Sequence, residues 1–574
     1  MKVALGKTKA DLAVIHATVL NVYTGELLYD QGISVSDRWI AYVGRKAEDA
    51  IGPETLVIDA GGKTVIPGLI DGHTHLAWTS TVHELLRYIM RGGTTTLITE
   101  TLEPYPVSGL PGVLDFIASL ANQPIKIFAL APAMVSISRA AQKMPIEDLR
   151  QLMAHDAVLG LGESYWQGVL QDPDLMLPRL AEAIKSGKVL EGHSAGAGEQ
   201  KLNAYIAAGI QSCHEPIKAQ EVLERLRLGL YVMAREGSIR GDLEEISKIR
   251  SSGADLRRLI LATDGINPKD LIRHGYMERV VQKAIDCGFD PGHAVQMATL
   301  NVAEHFSLDH LIGGIAPGRF ADFLIVPDLE HIQAEQVISN GQIIAVNGEL
   351  RVEPRMHPYT RQSRSSIHLP DRMVAEDFTI PVSKCASKVA LRVIEMATDL
   401  VTSEKILELP VHQSRIQADI QQDIIKIAAI DRTHLPGKTF VGMIKGFSLK
   451  SGAFAGSAAW DTTDVVVIGT NDRDMAAAVN HIHAMQGGYA LLENENVIAD
   501  LPMPVFGIIS DLPLEEVADR ASRLEQALAV RGVSFPDPML SLITLTGAAI
   551  PFLRICEEGL VSLKTGKSLD LFLS

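Results

Sequence analysis

Val65-Ile66-Pro67-Gly68-Leu69-Ile70-Asp71-Gly72-His73-Thr74-His75 runs an apolar stretch straight into two histidines spaced two apart. On a β-strand alternate side chains point the same way, so His73 and His75 present both imidazoles to one ion, a chelating geometry. The sequence supplies its own contrast in His481 and His483, which share the spacing but sit in the helical pattern DMAAAVNHIHAMQ. Two positions along a helix turn the side chain by about 200°, so this second pair cannot share a metal and is expected at the surface or between domains.

Downstream of this motif, apolar runs recur to Asp264. They are VIPGLID, TTTLIT, IKIFAL, AVLGLG, KVLEG, GIQSC, GLYVM and RLILATD, each followed by helix-like periodicity or a turn. Strands alternating with helices predict a parallel sheet, and eight such units fit a TIM-type (β/α)8 barrel, an α/β fold. Barrel active sites lie at the C-terminal ends of the strands. There the sequence places Glu163 after AVLGLG, His193 after KVLEG, His214 after GIQSC and Asp264 after RLILAT. With His73 and His75 these make four imidazoles and two carboxylates. That set suffices for two divalent ions, with Glu163 able to bridge them through its two oxygens. Donors without thiolate are compatible with Fe, Mn or Zn.

The flanks read differently. Residues 1–64 alternate short β-type runs with Gly/Asp turns, and GGIAPGRFADFLIVPD returns to that texture, so 1–64 and 315–355 are expected to form a small β-sandwich domain around the 65–314 barrel. VEPRMHPYTRQSRSSIHLPDR lacks periodicity and is the expected linker. Beyond it, 376–574 mixes strands and helices as a C-terminal α/β domain.

The chain has 574 residues, 47% hydrophobic and 21% charged, which is ordinary for a globular protein of more than one domain. A net charge of -16 without a Lys/Arg stripe argues against nucleic acid and for a small neutral substrate. The start lacks the apolar core of a signal peptide, and no run is long enough to span a membrane, so a cytoplasmic protein with no membrane partner is expected. The four cysteines, Cys213, Cys287, Cys385 and Cys556, form no CxxC pair and read as free thiols.

At the rim, Trp78 and Trp166 can stack on a flat heterocycle or pack beneath the barrel edge. Gly237 in Arg235-Glu236-Gly237-Ser238 can let a loop approach a ligand, and Arg235 with Glu236 reads as a turn ion pair. Lys201, Asn203 and Tyr205 receive no role.

PGLIDGHTH with a final-strand Asp264 resembles the amidohydrolase superfamily. Within it, VLGLGESYW, LNAYIAAGIQSCHE, LRLGLYVMAREGS, IKGFSLKSGAFAGS, VVVIGTNDRDMAAAVN and ISDLPLEEVA are similar to bacterial adenine deaminases over nearly the whole chain. The resemblance implies Glu163 where many relatives carry a carboxylated lysine, Mn or Fe(II) as the metals, and a homo-oligomer. It also implies hydrolytic deamination of adenine to hypoxanthine and ammonia by a metal-bound hydroxide. Asp264 would shuttle the proton, and Glu103 is the candidate for protonating or hydrogen-bonding the ring nitrogen beside the attacked carbon. The chain departs from the family pattern at three places. Glu100-Thr101-Leu102-Glu103 stands for Asp-Pro-His-Glu, Leu76-Ala77-Trp78-Thr79 for Ile-Glu-Ser-Ser, and Trp460-Asp461-Thr462-Thr463 for His-Asp-Ser-His. These changes keep open a deaminase or cyclic-amide hydrolase acting on a different heterocycle. A silent scaffold is a third alternative.

Overall fold

The computed structural model describes residues 1–382, 386–550 and 552–573. The run VIPGLID divides between two sheets. Thr64–Pro67 pairs with Phe323–Val326 and with Leu12–Asn21, whereas Leu69–Thr74 begins a parallel sheet. Gly68 is the crossing point, and a Cβ there would meet Thr95 Oγ1 at 2.1 Å, so only glycine lets the chain pass so close to the neighbouring strand.

The first of these sheets has nine strands drawn from both flanks, running from Glu349–Leu350 at one edge to Trp39–Gly44 at the other. Hydrogen bonds link all nine as one sheet. Its inward positions, among them Val14, Val19, Ile33, Val35, Phe323 and Ile325, close into a core of their own.

All eight expected runs contribute a parallel strand. Leu69–Thr74, Thr94–Thr99, Lys126–Ala131, Val158–Tyr165 and Val189–His193 form one five-stranded sheet. Ser212–Cys213, Tyr231–Arg235 and Leu259–Ala262 form a three-stranded one. Between the two, Gln211 N donates to Leu190 O, and Asp264 N donates to His73 O, each at 2.9 Å. Burial on both faces explains why these strands are near-continuous apolar runs and do not alternate.

Asp71 of the opening motif ties the first strand to the last. Its buried carboxylate accepts from Thr263 Oγ1 and Tyr276 Oη at 2.6 Å, Thr263 N at 3.1 Å and His73 N at 3.2 Å. Four donors satisfy a group that would otherwise be costly to bury.

The expected linker is a strap. Asp115, on the helix Pro104–Leu120, accepts from His357 Nε2 at 2.8 Å and from Thr360 N at 3.0 Å, and Arg355 N donates to Gln123 Oε1 at 2.8 Å. The lack of periodicity in this stretch reflects irregular backbone that is nevertheless anchored by side chains. Beyond it lie a ten-stranded sheet, the helices Asp472–Met485 and Leu514–Val530, and a three-stranded sheet that begins at Leu553–Cys556. His481 and His483 lie on the first of these helices, half-buried, with His481 Nε2 against Asp500 Oδ2 at 2.9 Å. Cys213, Cys287 and Cys556 are free thiols, and Cys385 lies outside the described residues.

This third unit reaches the strand ends of the parallel sheets. Ile509–Ser510 pairs in parallel with Thr79–Ser80. Ser136 Oγ donates to the carbonyl of Asp461, and Trp460 lies flat over His75, with centroids 5.5 Å apart and planes 5° apart.

Candidate metal centre

His73, His75, Glu163, His193, His214 and Asp264 all come together, each buried, at the C-terminal ends of their strands. One donor atom each from His73, Glu163, His214 and Asp264 lies within 4.8 Å of the others. Glu163 Oε1 is central, 2.9 Å from His214 Nε2, 3.2 Å from His73 Nε2, 3.6 Å from His75 Nε2 and 3.9 Å from His193 Nδ1. Asp264 Oδ1 lies 3.2 Å from His73 Nε2 and 3.4 Å from His75 Nε2. Asp264 itself has φ 59°, a left-handed conformation uncommon for a non-glycine residue and frequent where function requires strain.

A divalent cation fits these residues. His73 Nε2, His193 Nδ1 and His214 Nε2 are buried without hydrogen-bonding geometry to any neighbour, and the lone pairs facing one another are those of imidazole and carboxylate. Unsatisfied buried donors of this kind are rare unless something else binds them. A second triad, His193, His214 and Glu215, also meets the spacing for an ion. Glu215 was not anticipated, although its place directly after His214 was a usable signal.

The surrounding groups hold this set in place. His75 Nδ1 donates to Glu103 Oε1 at 2.6 Å, so Glu103 fixes the ring of the histidine from behind. Glu103 does not line the cavity, in contrast to its expected place against the substrate ring. Glu100, also unanticipated, accepts from Glu163 N at 3.2 Å and lies 3.7 Å from His73 Nδ1. Arg235 does not pair with its neighbour Glu236, which goes to Lys283 at 2.6 Å. Arg235 instead joins Glu215 to Asp264 Oδ2, the latter at 2.9 Å. Gly237 serves a close approach to protein, because a Cβ there would meet Thr263 O at 1.9 Å. Tyr205 accepts from His193 N at 2.9 Å and donates to Ser164 O, which sets the spacing of the Glu163 and His193 strands.

Charge follows this arrangement. Burial alone would push the Asp264 carboxyl up, but Arg235, then His73 and His75, hold it well below the usual carboxylate range. Burial likewise opposes ionisation of Glu163, and the surrounding histidines, led by His214, bring it well below. His73 is lowered by burial, yet Asp264 and Glu163 outweigh that and raise it to about 10. The centre is therefore built to concentrate negative charge, the field a cation requires.

His75, Glu163, His193, His214 and Asp264 line a cavity of about 800 Å³ together with Tyr165, Trp166, Lys201, Trp460 and Asp461, and His73 lies buried among them. Trp166 is fixed by its Nε1 donating to Ala195 O at 2.7 Å, with Lys201 Nζ 4.6 Å from its ring centre. Trp78 is buried, edge-on to Trp460 at 5.8 Å. Leu102 lines a small crevice with Glu163, Tyr165 and Trp460.

Two family profiles match the chain, the Amidohydrolase family over residues 64–348 and the Adenine deaminase C-terminal domain over residues 399–567. A protein named adenine deaminase from Clostridium botulinum (strain 657 / Type Ba4) is 34% identical, covering 100% of this chain and 96% of its own length. One of the same name from Moorella thermoacetica is 34% identical, covering 99% and 97%. Another from Cenarchaeum symbiosum is 35% identical, covering 98% and 93%. The solved structure of enamidase overlaps 60% of this chain and 99% of its own, with 19% identity and a TM-score of 0.47. With full-length relatives at this identity and a buried His/Glu/Asp cluster at the strand ends, the chain belongs to the adenine deaminase family of the amidohydrolases.

Proposed function

We propose that this protein hydrolyses adenine to hypoxanthine and ammonia. The observation that carries the reading is the convergence of His73, Glu163, His214 and Asp264, the last three of which line a roomy cavity, in a chain whose full-length relatives bear the name adenine deaminase. The frame we propose is a closed (β/α)8 barrel over 65–314, a β-sandwich-like domain from 1–64 and 315–355, and a C-terminal α/β domain over 376–574. The two backbone bonds between the parallel sheets support the closure.

His73, His75, His193, His214 and Asp264, with Glu163 as the shared carboxylate, would hold two divalent ions. Mn or Fe(II) heads the proposal and Zn is compatible with the same donors. Bound there, a divalent cation lowers the pKa of water enough to supply a nucleophile near neutral pH. Asp264 has one oxygen toward the cluster and the other anchored on Arg235, so it is oriented to take a proton from the attacking water and return it to the departing amino nitrogen. Glu103 acts through His75 as a positioning residue. A homo-oligomer working in the cytoplasm completes the proposal, on sequence grounds. Among the described residues no helix is long and apolar enough to cross a membrane.

A second reading, a different amino-substituted heterocycle, is favoured by Leu102 and Trp460, which line the crevice beside Glu163, and by Trp78 packed edge-on against Trp460. A panel of amino-heterocycles assayed for ammonia release, with metal content measured on the same samples, separates the two. Adenine as the best substrate supports the first reading, and preference for another compound by a metal-bearing protein overturns it.

A further inference from the structure

With Glu103 behind His75, the site needs another group to protonate the ring nitrogen. The acids near the floor of the cavity are otherwise committed. Glu163 faces the histidines, and Glu215 and Asp264 share Arg235. Asp461 is different. It comes from the third unit, is only 4% exposed, and lines the same cavity as His75, Glu163, His193, His214 and Asp264. Its Oδ2 accepts from Ala548 N at 2.7 Å, and its Oδ1 meets Tyr165 Oη at a long 3.2 Å. Both partners are neutral. Tyr165 in turn stands edge-on to His193 at 4.8 Å, so the pair overlooks the donor cluster.

We propose that Asp461 is a catalytic acid of the deamination, donating its carboxyl proton to the ring nitrogen beside the attacked carbon. This rests on the reading of the site as a deaminase of an amino-heterocycle. As the water oxygen bonds to carbon, the C=N electron pair moves to the ring nitrogen and takes the Asp461 proton. Asp264 receives one water proton and passes it to the amino group, which leaves as ammonia when the C–N bond breaks. The remaining hydroxyl proton is released as the carbonyl forms, and it restores Asp461 through the water of the open cavity. Each atom of one water is then accounted for in the two products. Burial, opposed by the Ala548 amide and aided by the nearby Glu163 charge, raises the Asp461 carboxyl to about 7, so a large share of it carries a proton near neutral pH. The titratable groups facing it are Tyr165, Glu163 and His193.

The test compares metal-loaded wild type, Asp461→Asn and Asp461→Glu on adenine and on whichever amino-heterocycle the wild type deaminates best. A general acid contributes about 10²–10⁴-fold. The expected result is a kcat at least ~100-fold lower in Asp461→Asn, with metal content and thermal midpoint near wild type, KM changed little, and partial recovery in Asp461→Glu. Turnover by folded, metal-bearing Asp461→Asn within about threefold of wild type overturns the inference. So does an equal loss in the Glu variant with a lowered midpoint, the pattern of a merely structural carboxylate. Absence of adenine turnover in the wild type bears on the substrate reading alone, because the comparison then runs on the other compound.

Discussion

The backbone N–H of Asp264 donates to the carbonyl of His73 at 2.9 Å. The last parallel strand is thereby locked to the first at the level of the donors, and Asp264 adopts its left-handed φ where its carboxylate meets both His73 and His75. Asp71, two residues before His73, tightens the same seam through Thr263, the residue before Asp264, and through Tyr276.

Removing one donor from that seam has a measurable cost. Tyr276→Phe deletes a 2.6 Å bond to the buried Asp71 carboxylate and leaves its other partners. A hydrogen bond to a charged group contributes about 1.5–3 kcal/mol. The expected result is a destabilisation of that size by urea unfolding, and an unchanged midpoint contradicts the role given to Asp71.

Glu103→Gln separates positioning from direct chemistry. Loss of the charged partner of His75 Nδ1 is expected to weaken metal affinity about 10–100-fold, read by chelator competition, with kcat largely recovered at saturating metal. Unchanged affinity with a collapsed kcat would return Glu103 to the substrate.

Arg235→Met leaves Glu215 and Asp264 buried without their cation. Breaking a buried pair on one side costs about 3–5 kcal/mol. Metal-free Arg235→Met should unfold at markedly lower urea than metal-free wild type, and metal should restore part of the difference by neutralising the same carboxylates. Equal midpoints without metal would show that Arg235 is not their counter-ion.

The pH dependence of the metal-free protein follows from the shifted groups. Asp264 and Glu163 have folded pKa values below their unfolded ones, so their contribution is present above about pH 4–4.5 and lost as pH falls through the depressed values. His73 is raised to about 10, so its contribution is full below about pH 6.5 and is lost as pH rises toward 10. His214, lowered by burial and by His73, adds stability as pH climbs toward 6.5. Urea midpoints should decline from about pH 6.5 toward pH 10. A midpoint that rises between pH 6.5 and 10 contradicts these assignments.

Much of the architecture was legible because it is written in local pattern. Eight apolar runs each contributed a parallel strand, and the polar residue after each of the metal-site strands landed in one cluster, since strand ends in such a sheet face a common side. What the sequence hid depends on partners far along the chain. Arg235 read as paired to the adjacent Glu236, but its partners are Glu215, Asp242 and Asp264. Gly237 looked like a ligand approach and is a packing necessity against Thr263. The aperiodic stretch after Val352 looked like a free linker because hydrogen bonds to Asp115 leave no periodic trace. Trp460 and Asp461 lie some 300 residues from the Glu163 they overlook, a proximity that no spacing rule could convey.

The most direct measurement is ammonia release from adenine by wild type and Asp264→Asn, each loaded with Mn or Fe(II) and assayed for bound metal. Wild-type turnover and a loss of at least ~100-fold in Asp264→Asn are expected. Equal rates in the two proteins, or a wild type that holds its metal and releases no ammonia from adenine, would contradict it.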